Sequence, residues 1–277
     1  MSEHAPARWI DLGHCAPLAF HSAYAGLAYS LRANNAPIVV VGRVGPHLCL
    51  GQSQGRCELD DSVSVPVVRR PLGGGAVWVD EDQISYAIVA PLDIAPSRHE
   101  DWYGWALAPA IATFASFGLP VTRVGEDLWL RGRKIAGSGA ATLGRAAVVA
   151  SSFLLRFPAH RFAASVASPT MEYRARLREG LALAMTDWAS HADVPHERAL
   201  KAAFALALMQ TLGRSVSPSL PVADELRVIG EWREELEEPI ESGAHRRVAD
   251  GIKLNAELVL TARRGEPVLY RKGEALA

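Results

Sequence analysis

Two short segments carry most of the residues that could do chemistry. The first is Arg69-Arg70-Pro71-Leu72-Gly73-Gly74-Gly75-Ala76-Val77. Three consecutive glycines let a ligand approach backbone N–H groups and permit left-handed backbone. Two adjacent arginines offer charge-assisted bonds to a carboxylate or phosphate. Together they fit an anion held at a strand-to-loop junction, although a glycine hinge between solvated arginines has the same composition. The segment is not a Walker A loop, since no Lys-Ser/Thr follows, and it lacks the G-x-G-x-x-G form. The second segment runs from Glu126-Asp127 through Lys134 to Gly137-Ser138-Gly139. Lys134 stands on an otherwise apolar strand just before that bend. As a point charge it could stabilise negative charge developing on a phosphate or acyl oxygen. The alternative is an edge-strand lysine with its head in water.

The remaining reactive types are sparse. Cys15, Cys49 and Cys57 are odd in number and form no C-x-x-C, which argues against a disulfide framework or a zinc site and for a reducing cytoplasm. Cys49 lies in an apolar strand and reads as core, while Cys15 and Cys57 read as incidental loop thiols. The nine histidines form no H-x-x-x-H or H-E-x-x-H pair, so an intrinsic metal site is not expected. No Ser-His-Asp or Cys-His set is apparent. The Trp102, Trp105 and Leu107 face reads as packing.

The elements that must position these residues are legible in outline. Residues 16–33 read as a helix ended by Pro37. The run Ile38–Gly42 reads as a strand buried on both faces. Further strands are expected at 48–51, 65–70, 76–79 and 84–89, the one over 65–70 running into the glycines. Ser97 reads as the N-cap of a helix over 98–118, kinked at Pro109. Leu128–Leu130 and Lys134–Ala136 form a hairpin around Arg131-Gly132-Arg133. A strand over 146–157 and helices over 171–189, 195–212 and 224–237 follow. Leu254–Leu260 and Val268–Tyr270 form a closing hairpin around Arg263-Arg264-Gly265. This order is not a regular βαβα alternation. It predicts an α+β fold with a mixed, largely antiparallel β-sheet flanked by helices. The candidate boundaries are Ser215–Pro221 and Glu241-Ser242-Gly243.

Composition bounds the partners. The chain has 277 residues, 49% apolar and 21% charged, enough for a real core. Its 29 basic and 30 acidic residues give a net charge of −1, so it has no basic excess for phosphate-backbone binding and no nucleic-acid partner is expected. The N-terminus lacks a basic region followed by an apolar one, and no run approaches the ~18 apolar residues of a membrane span. A cytoplasmic protein with no membrane partner is expected.

Taken in order, the two segments resemble the lipoate–protein ligase and octanoyltransferase family, related to the biotin–protein ligases. The family pattern is R-R-x-S-G-G-G-A-V-x-H-D followed by N-D-I-x-x-x-G-x-K-I-x-G-S-A. Here the matching stretches are Arg69 to Asp80 and Glu126 to Gly139, with Gln83 to Tyr86 between them and Gly42 and Gly51-Gln52 upstream. The resemblance covers roughly residues 8–240. It implies a catalytic domain over 1–240 and a short hairpin extension over 241–277, with ATP and Mg2+ as co-substrate and counter-ion and lipoate as substrate. It implies that Arg70, Gly73, Gly74, Gly75, Ala76, Val77, Gly137 and Ser138 bind substrate. Lys134 would be catalytic and bind the adenylate, and Asp127 would sit by the phosphate and metal. The partners it implies are lipoyl carrier domains, namely 2-oxoacid dehydrogenase E2 subunits and the glycine cleavage H protein, together with a separate accessory chain. The Arg174–Arg178 run reads as a solvated helix face or as a contact for an acidic lipoyl domain.

The match also departs from the pattern. Leu72 stands where the family has serine, Val79 and Ala150 where it has histidine, and Glu126 where it has asparagine. His21-Ser22 falls near a usual acidic position. The absence of a cysteine beyond Cys57 disfavours transfer through a thioester and favours the ATP-dependent branch. Octanoyl transfer without ATP, and a non-catalytic member binding a lipoylated partner, remain as alternatives.

Overall fold

The computed structural model describes residues 5–242, 251–263 and 266–276. The chain opens with β1 (Ala7–Cys15), α1 (Pro17–Ser30), β2 (Ile38–Val44) and β3 (His47–Leu50). After a 3-10 turn at Arg56–Glu58 come β4 (Val67–Arg69), β5 (Val77–Val79) and β6 (Gln83–Pro91). Then follow α2 (His99–Ser116), β7 (Thr122–Val124), β8 (Asp127–Leu130), β9 (Arg133–Ala136), β10 (Gly139–Leu143) and β11 (Ala146–Leu154). The remainder is α3 (Ala159–Ser165), α4 (Met171–Ala184), α5 (Glu197–Leu212), β12 (Val216–Pro218), α6 (Ala223–Glu237), β13 (Ile252–Lys253), β14 (Leu258–Arg263), β15 (Glu266–Arg271) and β16 (Glu274–Leu276).

A six-stranded sheet ordered β10-β11-β6-β2-β1-β12 forms the frame. It is mixed: β1 pairs in parallel with β2 and β12, and the other neighbours are antiparallel. The continuous apolar runs of β2, β6 and β11 follow from helices covering both faces. Val39, Val41, Tyr86 and Ile88 face one way, onto Leu107 and Phe114 of α2 and Phe204 of α5. Ile38, Val40, Ala87 and Val148 face the other way, onto Phe20, Tyr24 and Leu27 of α1. The α+β expectation therefore holds. Among the described residues no helix is long and apolar enough to cross a membrane.

Smaller sheets, β4-β3-β5 and β7-β8-β9, present the two chemical segments. The C-terminal sheet β13-β14-β15-β16 packs Leu254, Leu258, Leu260 and Leu269 against Leu177 and Leu181 of α4. The expected hairpin is present, but its first strand begins at Leu258 and not Leu254, because Asn255 Oδ1 accepts from the Glu257 and Leu258 N–H groups and turns the chain there. Arg264-Gly265, like Gly243 of the second candidate boundary, lie outside the described residues.

Several boundaries differ from expectation for physical reasons. Residues 7–15 form β1, unread because its alternation is mixed in polarity, and Val216–Pro218 is its parallel partner rather than a domain boundary. The cap of α2 is Arg98, without a side-chain bond, not Ser97. Helix α1 ends at Ser30, short of residue 33, and β11 ends at Leu154, short of residue 157. Helix α4 stops at Ala184 because Met185 and Thr186 turn to meet β9: Thr186 N–H donates to the Lys134 carbonyl at 2.8 Å.

Close packing of α1 on α6 requires Gly26. A Cβ there would lie 2.6 Å from Ile229 Cα, a backbone atom that cannot swing aside. Gly26→Leu is therefore expected to cost about 1–3 kcal/mol as overpacking, read as a lower urea midpoint. An unchanged midpoint would show that α6 can move off α1 at little cost.

Candidate active site

The glycine loop connects β4 to β5, and its shape is set from three sides. Gly74 has φ +101°, a conformation that L side chains rarely adopt. Gly51, just after β3, comes so close that a Cβ on it would lie 1.9 Å from the Gly74 carbonyl oxygen. A Cβ on Gly139 would lie 2.9 Å from the Gly73 carbonyl oxygen. The loop thus rests directly on the Gly137-Ser138-Gly139 bend, so the structure brings the two segments together. Gly73, Gly74 and Gly75 are exposed on their outer side, as is Val77, and Ala76 is half-buried. Among the described residues no backbone carbonyl receives the N–H groups of those three glycines. They stand as donors for an anion.

Arg70 is buried behind the loop rather than extended in front of it. Its Nη2 donates to the Gly73 and Gly75 carbonyls, both at 2.9 Å, and its Nη1 to the Cys49 carbonyl at 3.1 Å. It therefore fixes the loop. Asp80, which closes the first motif, is also spent internally: it accepts from Trp78 Nε1 at 2.7 Å and from Asp82 N–H at 3.0 Å.

Lys134 does not have its head in water. Its Nζ lies 2.9 Å from Asp127 Oδ1, and the two side chains are 19% and 15% exposed. A Cβ on Gly137 would lie 3.0 Å from Nζ, so the ammonium passes over that glycine. The bend itself is tied down: Ser138 Oγ donates to the Glu126 carbonyl, and Ser151 Oγ to the Gly137 carbonyl at 2.8 Å. Tyr103 of α2 borders this site. Burial, with Glu126 and Asp127 adding to it, holds its phenol above the ordinary value.

Leu72 and Val79 are buried in the apolar cluster beneath the loop, and Ala150 packs against it. The same cluster holds Cys49, 1% exposed. Burial alone would raise this thiol, but the Arg70 guanidinium and His47 outweigh it and lower it. Cys15, by contrast, is pushed up to about 11 by burial, which disfavours it as a thioester-forming nucleophile. Next to Cys49 lie His21 and His47, a grouping the sequence reading missed. In the Arg174–Arg178 run, Arg174 pairs with Asp60 and Arg176 with Glu179, so part of that charge is already engaged.

Fold and site together define the α+β catalytic-domain fold of the lipoate ligases. The lipoyl protein ligase A/B catalytic-domain family matches residues 25–212, and the chain belongs to that family. Among solved structures, a bipartite lipoate protein ligase from Thermoplasma acidophilum, described with its E2 lipoyl domain, aligns with a TM-score of 0.76 at 18% identity. The alignment covers 84% of this chain and 93% of that one. A lipoate-protein ligase A bound with ATP aligns at 0.70 and 18% identity, over 83% and 95% of the two chains. A T. acidophilum structure with bound lipoic acid aligns at 0.69 and 16%, again over 83% and 95%. At such identities these likenesses carry the fold. No curated protein matches the sequence.

Proposed function

We propose that the chain is a cytoplasmic lipoate–protein ligase. A lipoate or octanoate carboxylate oxygen attacks the α-phosphorus of ATP, the bond to pyrophosphate breaks, and an acyl-adenylate forms. The lysine amine of a lipoyl carrier domain then attacks the acyl carbonyl. AMP leaves, and the amine gives up a proton. The amine is its own nucleophile, so the enzyme mainly positions and polarises. The observation that carries this reading is the packing of Gly73 on Gly139, which sets the loop's exposed N–H donors beside the bend under Lys134.

In this reading Gly73, Gly74, Gly75, Ala76 and Val77 receive the acyl and phosphate oxygens, with Gly137 and Ser138 opposite. Arg70 holds the loop in shape. Lys134 stabilises the oxyanion in both half-reactions. Asp127 has one oxygen on Lys134; its other suits a hard cation, so it fits the Mg2+ that accompanies ATP. Residues 1–240 form the catalytic unit and 241–277 an extension. The acceptors are lipoyl domains of 2-oxoacid dehydrogenase E2 subunits and the glycine cleavage H protein, with a separate accessory chain as a further partner.

Leu72, Val79 and Ala150 make the floor apolar, which suits a plain aliphatic chain. Octanoate is therefore expected to be used at least as well as lipoate. The assay is the mass of an unmodified lipoyl domain incubated with the protein, each acid and ATP, alongside pyrophosphate release. A mass gain that requires ATP supports the ligase. A gain from an octanoyl carrier protein without ATP would replace the ligase by an acyltransferase. Binding of a lipoyl domain with neither gain nor release would leave a non-catalytic protein.

A further inference from the structure

His21 of α1 and His47 and Cys49 of β3 meet in the core behind the glycine loop, all three buried. His21 Nε2 lies 3.1 Å from His47 Nε2 and 3.6 Å from Cys49 Sγ. All three ligand atoms fall within 4.8 Å of one another. Metal–nitrogen bonds of about 2.0–2.1 Å and metal–sulfur bonds of about 2.3 Å set neighbouring ligands in a tetrahedral shell about 3.3–3.6 Å apart. The two distances from His21 Nε2 already lie close to that spacing, and the third ligand pair falls within 4.8 Å. We propose that His21 Nε2, His47 Nε2 and Cys49 Sγ bind one soft, thiophilic metal ion, of the class of Cu(I) or Zn(II).

The hydrogen bonds around the cluster support this ligand set. His47 Nδ1 lies 2.8 Å from the Gly45 carbonyl, which can only accept, so Nδ1 carries the proton and Nε2 presents a lone pair. A second-atom contact of this kind is what orients a metal-binding histidine. His21 Nδ1 lies 3.1 Å from the Tyr24 hydroxyl, which can donate or accept. Without metal, Tyr24 donates to Nδ1, and His21 Nε2–H donates to His47. With metal, the His21 proton sits on Nδ1 and is donated to Tyr24, freeing both Nε2 lone pairs. Binding also releases the Cys49 thiol proton to solvent.

The charge around the site favours the monovalent ion. Arg70 Nη1 lies 3.4 Å from Cys49 Sγ, so the pocket already faces one cation. A Cu(I)–thiolate pair adds no net charge there, whereas Zn(II) adds one. Thiolate and imidazole are both good ligands for either ion. The cluster is drawn from a helix and a strand that are far apart in sequence, so no spacing motif reveals it. His47 and Cys49 do share one face of β3 by alternation.

The test is independent of the ligase reading, because its readout is metal stoichiometry and not acyl transfer. The full chain is assayed as purified, and again after refolding with Cu(I) under reducing anaerobic conditions or with Zn(II), in competition with a chromophoric chelator. One equivalent of either ion is expected, with a higher melting temperature for the loaded protein. Cys49→Ala and His47→Gln are each expected to lose both effects, while Cys57→Ala keeps them. Co(II) as a spectroscopic substitute is expected to show a thiolate charge-transfer band that Cys49→Ala abolishes. Circular dichroism establishes that each variant is folded. A folded wild type that binds neither ion under either condition would overturn the proposal. So would equal binding by the Cys49 and His47 variants.

Discussion

Lys134→Ala is expected to lower acyl transfer by about 10²–10³-fold, the cost typical of removing one preorganised group that stabilises an oxyanion. The side chain is placed for that work from several directions. Strand β9 is held by β8 on one side and by Met185 and Thr186 on the other. Asp127 takes one face of the ammonium at 2.9 Å, and Gly137 leaves room beneath it. The rival reading is that Lys134 only neutralises Asp127. Asp127→Asn separates the two: if neutralisation were the whole role, Lys134→Ala combined with Asp127→Asn would be no slower than Asp127→Asn alone. Pyrophosphate release and carrier-domain acylation are measured for all three variants. The pair is largely buried, and removing one partner leaves the other charge uncompensated at a cost of up to about 3–5 kcal/mol, so a urea midpoint for each variant separates lost activity from unfolding. Wild-type rates in Lys134→Ala would return the lysine to a structural role.

How much of this was legible depends on how local the determinants are. The apolar runs of β2 and β6 announce strands covered on both faces, and α2 and α5 follow from their spacing of apolar residues. The hairpin β8–β9 was legible from Arg131-Gly132, both of which have positive φ, the requirement of a two-residue turn matched to strand twist. Strand β1 was not, because its burial depends on parallel partners from residues 38–44 and 216–218 rather than on its own alternation. Strand β10 was hidden behind the glycines that precede it. At the site, each segment was recognisable by residue type, but their meeting was not. That meeting depends on Gly139 lacking a side chain where it stands against the Gly73 carbonyl, and the shape of the loop on Gly51 lacking one against the Gly74 carbonyl. The role of Arg70 as a staple behind the loop was equally invisible, since adjacent arginines read as free charge.

Gly51→Ala should be the most disruptive single-methyl change near the site. Its Cβ would lie 1.9 Å from the Gly74 carbonyl oxygen and 2.9 Å from the Gly74 carbonyl carbon, so a backbone segment has to move. The loop cannot simply retreat. Arg70 holds the Gly73 and Gly75 carbonyls, and Gly139 already stands against the Gly73 oxygen. A loss of about 1–3 kcal/mol in stability is expected from the overpacking. Affinity for a non-hydrolysable acyl-adenylate should fall by more than about tenfold, the equivalent of ~1.4 kcal/mol. Gly75→Ala provides the contrast. A Cβ there meets nothing within 4 Å, and its backbone is not left-handed. That variant should keep its stability within about 0.5 kcal/mol. If the ligand lies on the outer face of the loop, the added methyl occupies ligand space and weakens binding without weakening the fold. Chemical denaturation and calorimetric titration of both variants separate the two effects. Wild-type affinity in Gly75→Ala would place the ligand elsewhere, and wild-type stability in Gly51→Ala would mean that the loop can shift without resistance.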